Sequence, residues 1–168
     1  MQTRWLKDFS WVSMQAVRAA LPGTDLTVWQ SLDGQMVRAY LLAENAPDDG
    51  WTRLACVQSL AGASAGEQAA FHYVVETDVV PEHERELNAW YEQEHLPGLA
   101  SVPGTIRAAR FVRVSGSPRS FACYDLVSPA TLERAEWLAV RHTAWSSRVR
   151  PTFRNTRRTM FCRPVTSE

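Results

Sequence analysis

Five side chains able to move protons or hold an oxyanion fall between residues 71 and 125 of this 168-residue sequence: His72, Glu76, His95, Arg110 and Tyr124. His72 and Glu76 share the stretch FHYVVETDVV, where Phe71, Tyr73, Val75 and Thr77 alternate with His72, Val74, Glu76 and Asp78. An extended strand sends two such sets to opposite faces, so an imidazole and a carboxylate would lie on one surface. Facing a pocket, they would be equipped for acid–base work; facing packed helices, they would be an unusual set to bury.

His95 closes the segment PEHERELNAWYEQEHL, in which Leu87, Trp90, Tyr91, Glu94 and His95 recur at helical spacing. They form one face, apolar for two turns and polar at its end. Two roles fit His95. At a pocket rim it would exchange a proton with a substrate held by Trp90 and Tyr91, its tautomer set by Glu94 or Glu92. At a helix stop, before the prolines and glycines of HLPGLASVPG, it would satisfy a terminal carbonyl and the negative end of the helix dipole. Tyr124 and Arg110, on expected hairpin strands, would bind a carboxylate, carbonyl or enolate oxygen, core packing being the other role open to Tyr124.

Other side chains promise less. His142 has no second ligand-type residue at metal spacing, so neither metal nor haem is expected there, and no cofactor is expected elsewhere. Arg148, Arg150, Arg154, Arg157 and Arg158 read as a solvated strand and its lead-in. Cys56, Cys123 and Cys162 are odd in number, widely spaced and set in apolar runs, as reduced core cysteines are. The sequence has no Gly-rich phosphate loop, HExxH or CxxC, and its one lysine, Lys7, is a poor candidate for Schiff-base chemistry. Eighteen basic residues balance eighteen acidic ones and 45% of the chain is hydrophobic. A globular protein without a field for nucleic acid or anionic membrane is expected. With no long apolar run and no leader-like start, a cytoplasmic location is expected.

An internal repeat orders the elements that must position these residues. LPGTDLTVWQSLDGQMVRAYLLAE lines up with VPGTIRAARFVRVSGSPRSFACYDLVS: Pro22, Gly23 and Thr24 meet Pro103, Gly104 and Thr105, Gly34 meets Gly116, and Tyr40 meets Tyr124. Each copy reads as a helix stopped by Pro-Gly, then two strands around a tight turn. In the second copy a strand at 71–80, a helix at 81–96, the hairpin, a helix capped by Ser128 and a strand in PTFRNTRRTMFCRP give βαββαβ. This is an α+β, ferredoxin-like antiparallel sheet with helices on one face, over residues 71–168. Residues 1–62 read as a degenerate copy. WLKDFSWVSMQAVRAA, with Trp5, Phe9, Val12 and Val17 as apolar positions, fits its first helix, with the opening strand lost. PDDGWTRLACVQSLAG fits its second helix, although alternation also permits a strand over 48–61. Residues 63–70, small and polar, read as the linker.

YVVETDVVPEHERELNAWYEQEHLPGLASVPGTIRAARF followed by FACYDLVSP resembles the dimeric α/β-barrel superfamily. The pattern W-Y-x-x-E-H-L-P-x-L-x-x-V-P-G is similar to the EthD-like and related uncharacterised bacterial branch. The resemblance implies a sheet with helices on one face and a second sheet, from another chain or a tandem copy, on the other, enclosing a pocket. The superfamily spans monooxygenases, isomerases, decarboxylases, cyclases and haem proteins, so it implies no single reaction.

Two function classes follow. One is a cofactor-independent enzyme acting by proton transfer, decarboxylation or oxygenation on an enolisable or aromatic substrate, with His95 or His72 as base and Tyr124 and Arg110 at the oxyanion. The other is a ligand-binding, accessory or assembly module without turnover. Convergence of His72, Glu76, His95 and Tyr124 on one cavity would favour the first. An unpaired sheet edge makes a homodimer the expected assembly.

Overall fold

The computed structural model describes residues 3–10, 12–21, 25–46 and 49–163. The first half supplies β1 (Thr3–Ser10), α1 (Met14–Ala20), β2 (Leu26–Ser31), β3 (Met36–Ala43) and β4 (Thr52–Ala61). The second supplies β5 (Phe71–Val79), α2 (Glu84–Trp90), α3 (Leu96–Ala100), β6 (Thr105–Arg113), β7 (Ser120–Leu126), α4 (Ala135–Arg141), α5 (Ala144–Val149) and β8 (Phe153–Cys162). The strands close into a barrel in the order β1-β3-β2-β8-β5-β7-β6-β4. Cut into the sheets β4-β1-β3-β2 and β8-β5-β7-β6, the ring shows one strand order in both halves. The sheets meet edge to edge, broadly where β4 pairs with β6 and narrowly where Gln30 and Ser31 pair with Cys162 and Phe161. The outer sheet edges that suggested a homodimer are thus paired within the chain.

One first-half expectation is overturned, and one open alternative is decided for the strand. The opening strand is present: TRWLKDFS pairs with β3 from Thr3–Ala43 to Ser10–Met36. Trp5 and Phe9 stand four apart, a spacing that shares a face in a strand as well as in a helix, and their alternation with Leu6 decides for the strand. The true helix, α1, starts later, with Ser13 Oγ accepting from Ala16 N. The missing element is the second helix, because 52–61 is β4. Its ladder to β6 closes the barrel, and that gain outweighs the acidic helix-start signal ahead of it.

The second half follows the expected order with its own corrections. The helix does not stop at His95. A π turn at Tyr91–His95 joins α2 to α3, with Leu96 N donating to Tyr91 O five residues back, and Pro97 lies in the first turn of α3. The wider turn accommodates a residue that has no N–H to give. The chain turns instead at Ser101–Gly104, where Gly104 takes φ +96°. Its first-half counterpart, Pro22–Thr24, lies outside the described residues. Residues 63–70 do not hang free, since Ala63 N donates to Ala100 O, Ser64 N to Thr105 O, and Gly104 N to Ser64 Oγ. Ser128 accepts from Ala130 N as expected but caps only a 3₁₀ turn at Pro129–Glu133; the expected helix is broken at Arg134 and again before Ala144, giving α4 and α5, with Thr143 capping α5.

Three apolar clusters hold the layers. α2 to α5 pack on the outer face of the second sheet through Leu87, Trp90, Tyr91, Leu96, Leu99, Tyr124 and Trp137. Inside the barrel lie Leu6, Trp29, Tyr40, Leu54, Val74, Phe111, Phe121 and Phe161. On the first sheet α1 buries Met14 and Val17 against Val28, Val37 and Ala39.

Candidate functional site

Strand parity separates the candidate residues. His72 and Glu76 point into the barrel, whereas His95, Trp90, Tyr91, Tyr124 and Arg110 lie in the layer between the second sheet and its helices. The four residues whose convergence would mark one active site therefore sit on opposite faces of one sheet.

The barrel interior is filled, and most of its polar groups are engaged, although Arg38 Nη1 is buried without a hydrogen-bond partner. His72 Nδ1 is 2.7 Å from Asp125 Oδ1, and Nε2 is 3.0 Å from the Tyr40 hydroxyl. Hydrogen bonds from His72 and Arg107 hold Asp125 down at about 2 against the penalty of burial, so its carboxylate accepts from Nδ1–H and Nε2 accepts from Tyr40. The ring also stacks on Trp29 at 5.0 Å. With both nitrogens committed, His72 has none to offer a substrate, and the role of base assigned to it from sequence is withdrawn. Glu76 belongs to a closed ion network. Arg38 donates to both Asp8 oxygens at 2.7 Å and to Glu76 at 3.2 Å, and Arg157 bonds Glu76 at 2.7 and 2.9 Å and Asp8 at 3.2 Å. Arg157, half-exposed on β8 as a solvated strand would have it, is also an ion-pair partner, and both Glu76 oxygens are engaged by Arg38 and Arg157.

The helix-side layer holds a pocket lined by Tyr73, Tyr91, Tyr124, Trp90, Trp137 and His95, with Arg141, Arg150 and Arg158 also on its wall. The π turn brings Tyr91 and His95 inward together; π turns recur at functional sites. His95 stacks on Trp90 at 4.0 Å between ring centroids and meets Tyr91 edge-on at 5.6 Å. Trp90 is fixed in turn by its Nε1, which donates to Ser146 Oγ at 3.2 Å. His95 Nδ1 and Trp137 Nε1 are buried without a protein partner, so His95 is no helix-end cap. Burial, then the charges of Arg150 and Arg141, holds the His95 imidazole down at about 3. It is neutral at physiological pH. Burial pushes the Tyr91 phenol up to about 12 and Tyr124 higher, so both remain hydrogen-bond donors.

Arg110 is near but elsewhere. Its guanidinium lies 4.7 Å over the Tyr91 ring and donates to Asn88 Oδ1 at 2.6 Å, within a separate cleft of about 140 Å³. It acts on the phenol of Tyr91 through its charge, and the expected Tyr124–Arg110 oxyanion pair is not formed. Trp137, Tyr73 and the three arginines were missed as site residues. Arg158 was legible in principle, since alternation along β8 places it opposite Arg157. The cavity beside His95 is about 30 Å³, room for one water, so a macrocycle of haem's size does not fit it. The cysteines are free, and Cys56 is exposed where a core position was expected.

This architecture is an α+β, ferredoxin-like fold, and solved structures share it. A major regulator of staphylococcal pathogenesis superposes with a TM-score of 0.70 at 6% identity, over 97% of this chain and 99% of that one. An uncharacterised ferredoxin-fold protein from Listeria monocytogenes, related to antibiotic biosynthesis monooxygenases, gives 0.68 at 11% identity, over 98% and 96%. The haem-degrading enzyme LmHde of Listeria monocytogenes gives 0.63 at 9%, over 96% and 99%. At such identities the likeness is one of fold. No family model matches the sequence, and no curated protein matches it.

Proposed function

We propose that the helix-side pocket binds a small enolisable or aromatic molecule and that the chain is a cofactor-independent enzyme acting on it by proton transfer. The helix signature WYEQEHLPGLASVPG supports a place near the EthD-like branch, and the matching strand orders support descent from a tandem repeat. The observation that carries the reading is His95 Nδ1, a neutral buried nitrogen without a protein partner, on an aromatic wall beside two protonated phenols. Leaving such a nitrogen unpaired costs about 1–3 kcal/mol, and the cavity beside it has room for a water or a substrate atom to pair it.

The parts have separable roles. Arg141, Arg150 and Arg158 attract an anionic substrate, and Trp90 and Tyr91 pack its ring. An entering anion offsets the Arg150 and Arg141 charges that weaken His95, raising its basicity when substrate is bound. His95 then takes the proton beside the carbonyl, while Tyr124 and Tyr91 donate to the developing oxyanion. Anything larger than water requires α4 and α5 to move, and the break between them at His142–Thr143 provides the joint.

The small cavity, and the separation of His72 and Glu76 from His95 and Tyr124 across the sheet, favour one rival, a module that binds ligand without turnover. A panel of β-keto acids, lactones and phenols assayed with wild type and His95→Ala separates them. The enzyme reading expects turnover of at least one substrate and a loss of about 10²–10⁴-fold in the variant. Equal rates throughout would remove His95 from the mechanism.

A further inference from the structure

A second cleft enters the helix-side layer under the start of α2. Its floor is unbroken sheet: Thr77 of β5 pairs with Ser120 of β7, which pairs with Val112 of β6, and all three side chains line the cleft. Val79, Pro81, Leu87 and Val112 make its apolar wall, and Arg110, two residues from Val112 along β6 and so on the same face, lies at the end next to Tyr91. The cleft measures about 140 Å³. An apolar cavity of ~150 Å³ holds benzene, so the room here suits a body of about six carbon atoms.

Two buried donors in this cleft have hydrogens to give. Arg110 is 3% exposed and Ser120 5%. Arg110 donates from Nη2 to Asn88 Oδ1 at 2.6 Å and from Nε to Ser120 Oγ at 3.4 Å, while its Nη1 has no hydrogen-bond partner among the described residues. Ser120 Oγ accepts that second bond, and its own O–H finds no acceptor among them. Arg110 also forms no ion pair there, although a buried charge is ordinarily paired. Burial makes its protonated form harder to hold, and Tyr91, Tyr124 and Glu84 offset this only in part; an anionic partner would reverse the balance. Neither nearby carboxylate supplies that partner. Asp78 is engaged by Ser117 Oγ, Arg119 N and Asn155 Nδ2, and Glu84 is exposed to solvent.

We infer that this cleft is a second ligand site, which takes a small monocarboxylate on a compact apolar body. The head accepts from Arg110 Nη1–H and Ser120 Oγ–H. The body lies against Val79, Leu87 and Val112. Asp78 and Glu84 balance Arg110 and Arg119 around the cleft, which favours a monoanion over a phosphate dianion. None of its lining residues lines the pocket beside His95, so the two sites are separate.

Calorimetric titration of the full chain with 3-methylbutanoate, 3-methylbutanamide and isobutyl phosphate tests the inference. The carboxylate should bind at least about ten-fold tighter than its neutral amide and tighter than the phosphate. Arg110→Met should weaken it about ten-fold or more and Ser120→Ala about five-fold, with circular dichroism unchanged. Val112→Phe, which fills the cleft and leaves both donors in place, should abolish binding, while His95→Phe leaves it intact. No binding of the carboxylate, an amide or phosphate that binds as tightly, or undiminished binding in any cleft variant that folds would overturn the site. Loss of binding in His95→Phe would also overturn it, by placing the probe in the other pocket.

Discussion

His95 is an imidazole that a packing argument alone would replace. Phenylalanine has nearly its shape and would keep the stack on Trp90 without an unpaired nitrogen. His95→Phe is therefore expected to hold or raise the urea midpoint while ending turnover; a fall in stability would mark His95 as structural. Its titration gives a second test. Unfolded histidine protonates near pH ~6.5, whereas folded His95 does so at about 3, so the unfolded chain binds more protons between those values. Stability must then fall as pH drops through that window. His72, also pushed down by burial, adds to the slope, so His95→Phe should flatten the decline between pH 7 and 4 without abolishing it. At this scale the sequence showed residue types well and faces poorly. Aligning Tyr40 with Tyr124 paired a residue inside the barrel with one outside, since a one-place slip in a strand exchanges faces. The neutral state of His95 was not legible either, because it depends on helices that fold over it from 135–149.

The elements were legible wherever local and tertiary preferences agreed. β5, both hairpins with left-handed Gly34 and Gly116, and the Ser128 cap all follow from patterns a few residues long. β1 was misread and β4 left open between helix and strand because barrel closure, a contact between distant strands, decides their state. The stop at 101–104 gives a test of a local signal fixed by packing. Gly104 has φ +96°, and a Cβ there would stand 2.4 Å from Thr131 Oγ1. Gly66 has φ +101° with nothing within 4 Å of a Cβ. Gly66→Ala isolates backbone strain and is expected to cost about 1 kcal/mol, while Gly104→Ala adds the clash and should cost about 1–3 kcal/mol more. Urea midpoints measure both. Equal losses would show that the Gly104–Thr131 approach is slack.

In the whole molecule, one sheet separates an interior built on an ion-pair network from a helix layer in which His95 Nδ1 is buried without a protein partner. The interior network ties the halves together, since Asp8 and Arg38 come from the first and Glu76 and Arg157 from the second. Arg38→Met leaves Glu76, 1% exposed, with Arg157 alone and should cost about 3–5 kcal/mol, much of it recovered in Arg38→Met/Glu76→Leu. A single variant as stable as wild type would show that the network does not hold the barrel. The division between faces also supplies the most direct test of the functional reading. ¹⁵N imidazole spectra recorded while 4-nitrophenol, a stable enol mimic, is titrated into the full chain report both histidines at once. The His95 nitrogens should shift with saturation and His72 should stay fixed. Movement of His72 with His95 unchanged would put the chemistry inside the barrel and contradict the account.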